Sequence, residues 1–183
     1  DGLRRLAGPR LAACLQAGST ESLGEYLLEG LGRRILADDA QEGVDVGNRF
    51  AALAAAWESA AEDAFYAFND LHAIMAFLGA GRVADAERTL KAMRHAAADA
   101  GDNAYMTRKV GLPAGEALAA FEAGRYAECV DKIAAARGLA QRFGGSHAQR
   151  DILSLTILHA AIRAGMKPLA EAPLGPYFCI RLT

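Results

Sequence analysis

The sequence predicts an all-α fold, an α-solenoid of antiparallel helix pairs, and three observations carry that expectation. One phrase is written three times: AFLGAGRVADAERTL at 76–90, AAFEAGRYAECVDKI at 119–133 and AAIRAGMKPLAEAPL at 160–174. Each opens on Ala, sets a bulky apolar residue two places on, and closes on Ala-Gly, so Gly81, Gly124 and Gly165 fall 43 and 41 residues apart. The 183 residues are 52% apolar and rich in alanine, with only five prolines, a composition that favours helix over strand. After two of the glycines, apolar residues recur with the spacing of one helix face: Val83, Ala86, Leu90, Met93, Ala97, and Tyr126, Cys129, Ile133, Ala136, Ala140.

Taken in order, the elements are as follows. A first helix is expected over 3–15, interrupted or kinked at Pro9, and a second over 21–36 after the stop and cap at Gly18, Ser19 and Thr20. The polar stretch 37–49 reads as a connection. Helices follow over 50–60, 63–79 and 83–98, and AGDN at 100–103 breaks the chain. The next pair covers 113–123, with Pro113 in the first turn where a missing N–H does no harm, and 126–142. Ser146 and Gln149 have capping-box spacing before a last helix over 147–164. Residues 1–47 therefore form N-terminal helices and a connection, 48–172 the repeats, and 173–183 an irregular tail. One helix pair cannot bury its own apolar face, so pairs stack and share a core.

Bulk properties narrow the function. A net charge of −2 with acids and bases intermixed lacks the one-sided basic surface that nucleic acid requires. No apolar run approaches the ~20 residues of a bilayer span. Cys14, Cys129 and Cys179 are far apart and form no C-x-x-C pair, which suits a reducing, cytoplasmic setting without disulfides or zinc. Beginning at Asp1 and not at methionine, the chain reads as a fragment or processed product. No nucleophile elbow, phosphate loop or dinucleotide fingerprint is present.

Polar residues inside apolar helices are the remaining candidates. Asn69, Asp70 and His72 lie within FNDLHA, but two-residue spacing turns Asp70 about 200° from His72 on a helix, so they make no single catalytic cluster. His147 and Asp151 have i, i+4 spacing that offers two metal ligands at most, and both fit first-turn capping roles. Arg150 beside Asp151 suits an inter-helix ion pair. His159 shares the face of Ile152 and Leu155 and reads as a core histidine.

EAGRYAECVDKIAAA resembles the turn and second helix of a tetratricopeptide repeat, through Gly124, Tyr126, Cys129 and Ile133; Gly81, Val83, Ala86 and Leu90 repeat the pattern. The third copy departs from it at Met166, Lys167 and Pro168. EGVDVGNRF, WESAAEDAFYAFNDLHAIMAFLGAGR and GGSHAQRDILSLTILHAA resemble the tetratricopeptide repeat protein 38 family over roughly residues 42–165. The resemblance implies a TPR-like superhelix whose first helices line a concave groove. Phe68, Asn69, Leu71, His72 and Met75, Leu118 and Phe121, and Arg150, Asp151, Leu155 and His159 fall on that side. Positions that grip a carboxylate in such grooves need Lys, Arg or Asn; here they are mostly apolar. The expected function is a non-catalytic scaffold binding a protein or apolar peptide, or a second copy of itself, with no cofactor, metal, nucleic acid or membrane. The alternative is a small-molecule binder or enzyme with a pocket of Asn69, His72, Arg150, Asp151 and His159.

Overall fold

The computed structural model describes residues 49–144 and 147–166, and only the backbone of residues 49 and 147–151. Every regular element among them is helical. The helices expected over 3–15 and 21–36, the expected connection at 37–49 except its last residue, Arg49, which opens a helix, and the tail at 173–183 lie outside the described residues, as does Ser146 of the expected capping box.

Helix α1 spans Arg49–Trp57 and runs into a 3-10 turn at Glu58–Ala60. Helices α2 (Ala67–Gly79) and α3 (Val83–Ala96) meet at Gly81. A short α4 (Asp102–Met106) continues through a π turn, Thr107–Gly111, into α5 (Leu112–Glu122). Helix α6 (Tyr126–Arg137) follows Gly124, and α7 (His147–Arg163) ends at Gly165.

The three recurring glycines share one conformation, with φ of 72°, 74° and 71°, in the left-handed region where a Cβ is strained. Their hydrogen bonds repeat as well. The Gly81 amide donates to the Leu78 carbonyl at 3.0 Å and the Arg82 amide to Phe77 at 2.8 Å. Gly124 to Phe121 and Arg125 to Ala120 measure 3.0 and 2.8 Å, and Gly165 to Ile162 and Met166 to Ala161 measure 3.0 and 2.9 Å. This is the Schellman closure, which satisfies the last carbonyls of the helix. Beyond the glycine, Arg82 pairs with Asp85 and Arg125 with Glu128, each across three residues. The buried stripe then follows the predicted spacing at Ala86, Leu90, Met93 and Ala97 in one pair and at Cys129, Ile133, Ala136 and Ala140 in the other, but its first members depart: Val83, in the opening turn of α3, is 59% exposed and Tyr126 is half-buried.

Three boundaries differ from expectation. Helix α2 starts at Ala67 and not at 63, because Ala64 takes a left-handed φ of 44° that no right-handed helix accommodates. The break at 100–103 is confined to its first half: Gly101 turns the chain at φ 102°, and Asp102 already sits in the first turn of α4. Pro113 consequently lies inside a long helical run. The π turn before it accommodates this, since the Leu112 amide donates to the Thr107 carbonyl, five residues back, and the wider ring spares Pro113 the usual four-residue bond it cannot make. Helix α6 stops at Arg137, with the remainder of 126–142 completed by a 3-10 turn at Ala140–Arg142.

Consecutive helices pack on one another, α2 on α3 and α5 on α6; α1 covers α2, α5 touches both α2 and α3, and α7 lies on α6 and α5. Asp70 through Leu78 are all buried, so α2 is surrounded by neighbours on every side. Closeness at α5 comes from two helical glycines. A Cβ on Gly111 would stand 2.9 Å from the Ala67 Cβ, and one on Gly115 would stand 2.7 Å from the Ile74 Cδ1.

Candidate functional site

Two of the buried polar residues, Asp70 and His72, lie close together near the start of α2. The chain enters this helix through the strained turn at Ala64, which a distant residue holds in place. The Asn103 side chain, from α4, donates to the Ala64 carbonyl at 3.1 Å and accepts the Ala67 amide at 3.1 Å. One side chain thus satisfies a turn carbonyl and an orphan donor of the α2 N-terminus. The turn leaves Phe65 85% exposed and Tyr66 42% exposed. Behind it, the Phe68 ring lies tilted against His72, centroids 4.4 Å apart, and meets Phe143 edge-to-face at 5.7 Å, and Gly144 lies against the Tyr66 hydroxyl, where a Cβ would collide.

His72 is 3% exposed and bonds the Phe68 carbonyl through Nδ1 at 2.7 Å. A carbonyl can only accept, so Nδ1 carries the proton, and the neutral ring turns a bare Nε2 into the interior without a hydrogen-bond partner. Burial lowers its pKa; the bond to Phe68 opposes that in part. Asp70 is 5% exposed, and its Oδ2 is likewise enclosed without a partner. Burial, then the charge of Asp63, pushes its carboxyl from 3.8 up to about 7. Two groups on one helix therefore resist ionisation in opposite directions.

The other expected site residues lie on α2, α5 and α7. Leu71 and Met75 are buried on α2, as are Leu118 and Phe121 on α5 and His159 on α7; Phe68, Asn69 and Leu155 are half-buried. Phe121 belongs to a second cluster, with Tyr126 at 5.4 Å and the Arg163 guanidinium over both rings. The side chains of His147, Gln149, Arg150 and Asp151 lie outside the described residues. Among the described residues, no three His, Cys, Asp or Glu side chains are grouped to hold a metal ion, and no helix is long and apolar enough to cross a membrane. Cys129 is a buried core thiol, pushed up to about 12 by burial and by Glu128, and is no nucleophile near neutrality.

Asn103, Ala64 and the unpaired carboxyl of Asp70 were the features hardest to find from sequence. Asn103 sits in a stretch whose glycine signals a break, and its bonds span 36 and 39 residues. Asp70 shows in the sequence only as an acid two places from His72. No protein-family model matches the chain, and no solved structure matches it.

Proposed function

We propose that the chain is a non-catalytic, TPR-like helical-repeat scaffold that binds a protein or an apolar peptide. The observation that carries this reading is the equivalence of the three glycine turns, in backbone angle and in both hydrogen bonds, at near-constant spacing. Identical closures at equal intervals are what stacked helix pairs of a solenoid need, and solenoids present extended surfaces that suit polypeptides. The half-buried Phe68, Asn69 and Leu155 are the groove positions a partner reaches first. A second reading, a small-molecule pocket drawing on Asn69, His72, Arg150, Asp151 and His159, is favoured by one observation, the enclosed and unpartnered Nε2 of His72.

Panning a random peptide library against the full chain separates the two. The scaffold reading expects saturable peptide binding that Phe68→Ala or Leu155→Ala weakens, with no metabolite raising the melting temperature. A metabolite that stabilises the chain, with an effect lost in His72→Ala, would reverse the order of the two readings.

A further inference from the structure

Helix α7 opens a third pair, and its closing turn at Gly165 matches those at Gly81 and Gly124 in angle and in both hydrogen bonds. In the first two pairs the chain continues at once into a covering helix, α3 or α6. Leu155, Leu158 and Ile162 lie on one face of α7, at i, i+3 and i+7. Counted back from the glycines, they correspond to Leu71, Ile74 and Leu78 on α2 and to Ala114, Ala117 and Phe121 on α5. Those six residues are buried, none more than 9% exposed. On α7 the same positions are open: Leu155 and Leu158 are half-buried and Ile162 is 50% exposed. An apolar stripe at helical spacing is left uncovered where both earlier pairs bury theirs.

In the earlier pairs the helix after the turn lies against this stripe. Ile74 Cδ1 and Leu90 Cδ2 of α3 are both within 3.0 Å of the place a Cβ on Gly115 would take, so α2, α3 and α5 converge there. Phe121 meets Tyr126 of α6 edge-to-face at 5.4 Å. Helices α3 and α6 have 14 and 12 residues. The sequence beyond Gly165 cannot supply a helix of that length, because Pro173 falls in what would be its second turn and Gly175 and Pro176 follow. The stripe itself, Leu-Leu-Ile, is close in kind to the Leu-Ile-Leu of α2 and unlike the Ala-Ala-Phe of α5. A helix with the face of α3 therefore fits it: a small residue, a bulky apolar one four places on and another three beyond, as in Ala86, Leu90 and Met93.

We infer that the Leu155, Leu158 and Ile162 face of α7 is a docking surface for an amphipathic helix of a partner polypeptide, which takes the place that α3 has on α2. The inference rests on the scaffold reading and names the surface and the chemistry of its partner.

The probe is a capped peptide of residues 83–97, which span α3, titrated into the full chain. Saturable binding with a gain of helical circular dichroism is expected, since so short a helix is marginal alone in water. Ile162→Asp should weaken binding about tenfold through the lost apolar burial, and a peptide carrying Leu90→Asp should not bind. The exposure of Ile162 lets the variant keep the fold, which a thermal melt checks. Benzoylphenylalanine in place of Ile162 gives a second readout and should crosslink to the peptide. No binding of the α3 peptide, or binding that Ile162→Asp leaves unchanged, overturns the inference. So do crosslinks confined to residues 1–48 or 167–183 of the same chain, or to a second copy. In each of these cases the scaffold reading stands if library peptides bind and Phe68→Ala weakens them. Failure of every polypeptide to bind would overturn the scaffold reading with it.

Discussion

Helices α2 and α5 open the two complete pairs, end in superimposable glycine turns, and differ in almost everything between. Counting back from Gly81 and Gly124, Phe68 corresponds to Gly111, Asp70 to Pro113 and His72 to Gly115. Where α2 carries an aromatic, an acid and a histidine, the π turn and α5 carry a glycine, a proline and a second glycine. The difference follows from position. Helix α5 must bring its backbone against both α2 and α3, and only a missing Cβ leaves room for Ala67, Ile74 and Leu90. Helix α2 has space for large side chains and uses it to enclose two titratable groups. One step further back, Ala64 corresponds to Thr107: a strained turn in one pair, a π turn in the other. A shared turn rule thus fixes where helices end, and leaves their interiors free to specialise.

The most damaging way to break this comparison is to give α5 the side chain of α2. Gly111→Phe should cost more than about 4 kcal/mol and leave little folded protein in chemical denaturation, since the neighbouring Ala67 has no flexible end to yield. Asp70→Asn makes α2 resemble α5 in charge, and its effect depends on pH. The free carboxyl titrates at 3.8 and the folded one at about 7. The burden of burying it is therefore absent below pH 4, grows as the pH rises between these values, and is complete above 7. The substitution should stabilise the chain at pH 8 by roughly 4 kcal/mol at most and do nothing at pH 3.5, which melts at the two pH values would show. His72, with its pKa lowered, acts in the opposite direction and penalises the fold as the pH drops below 6.5.

Smaller effects sharpen the shared half of the comparison. Gly81→Ala and Gly124→Ala should each lose about 1–2 kcal/mol, and by equal amounts, because both sites have open space around a Cβ and only the backbone angle is strained. Unequal losses would mean that the turns are alike in shape but not in role. The smallest change is expected at Thr107→Val. The Thr107 hydroxyl is buried without a partner, whereas that of Thr156 donates to the Ile152 carbonyl at 2.7 Å. Removing the former should gain up to about 1 kcal/mol, and Thr156→Val should lose about as much.

Much of this was legible in the sequence wherever the cause is local. A helix end needs its glycine within a few residues, and a buried stripe repeats every three or four, so the turns at Gly81, Gly124 and Gly165 could be read directly, and so could the faces of α3 and α6 beyond their first residues, Val83 and Tyr126, which the spacing wrongly placed inside. The departures have distant causes. Pro113 looks like a helix start until a π turn absorbs it, and AGDN looks like a break until Asn103 proves to have partners at 64 and 67. The candidate site was half legible for the same reason. The histidine in FNDLHA drew attention by its type, whereas the significance of Asp70 depends on what does not surround it. The exposure of Phe65 follows from a backbone angle at Ala64 that alanine gives no reason to expect.

The Asn103 side chain has a consequence for how the molecule comes apart. Most hydrogen bonds here close over a few residues, and segments held only by such local bonds can open one at a time. Two bonds from Asn103 reach back 39 and 36 residues and tie the entry of one helix pair to the entry of the next. In amide hydrogen exchange, Ala67 should therefore open together with 102–106 as one cooperative unit, and Asn103→Ala should uncouple them.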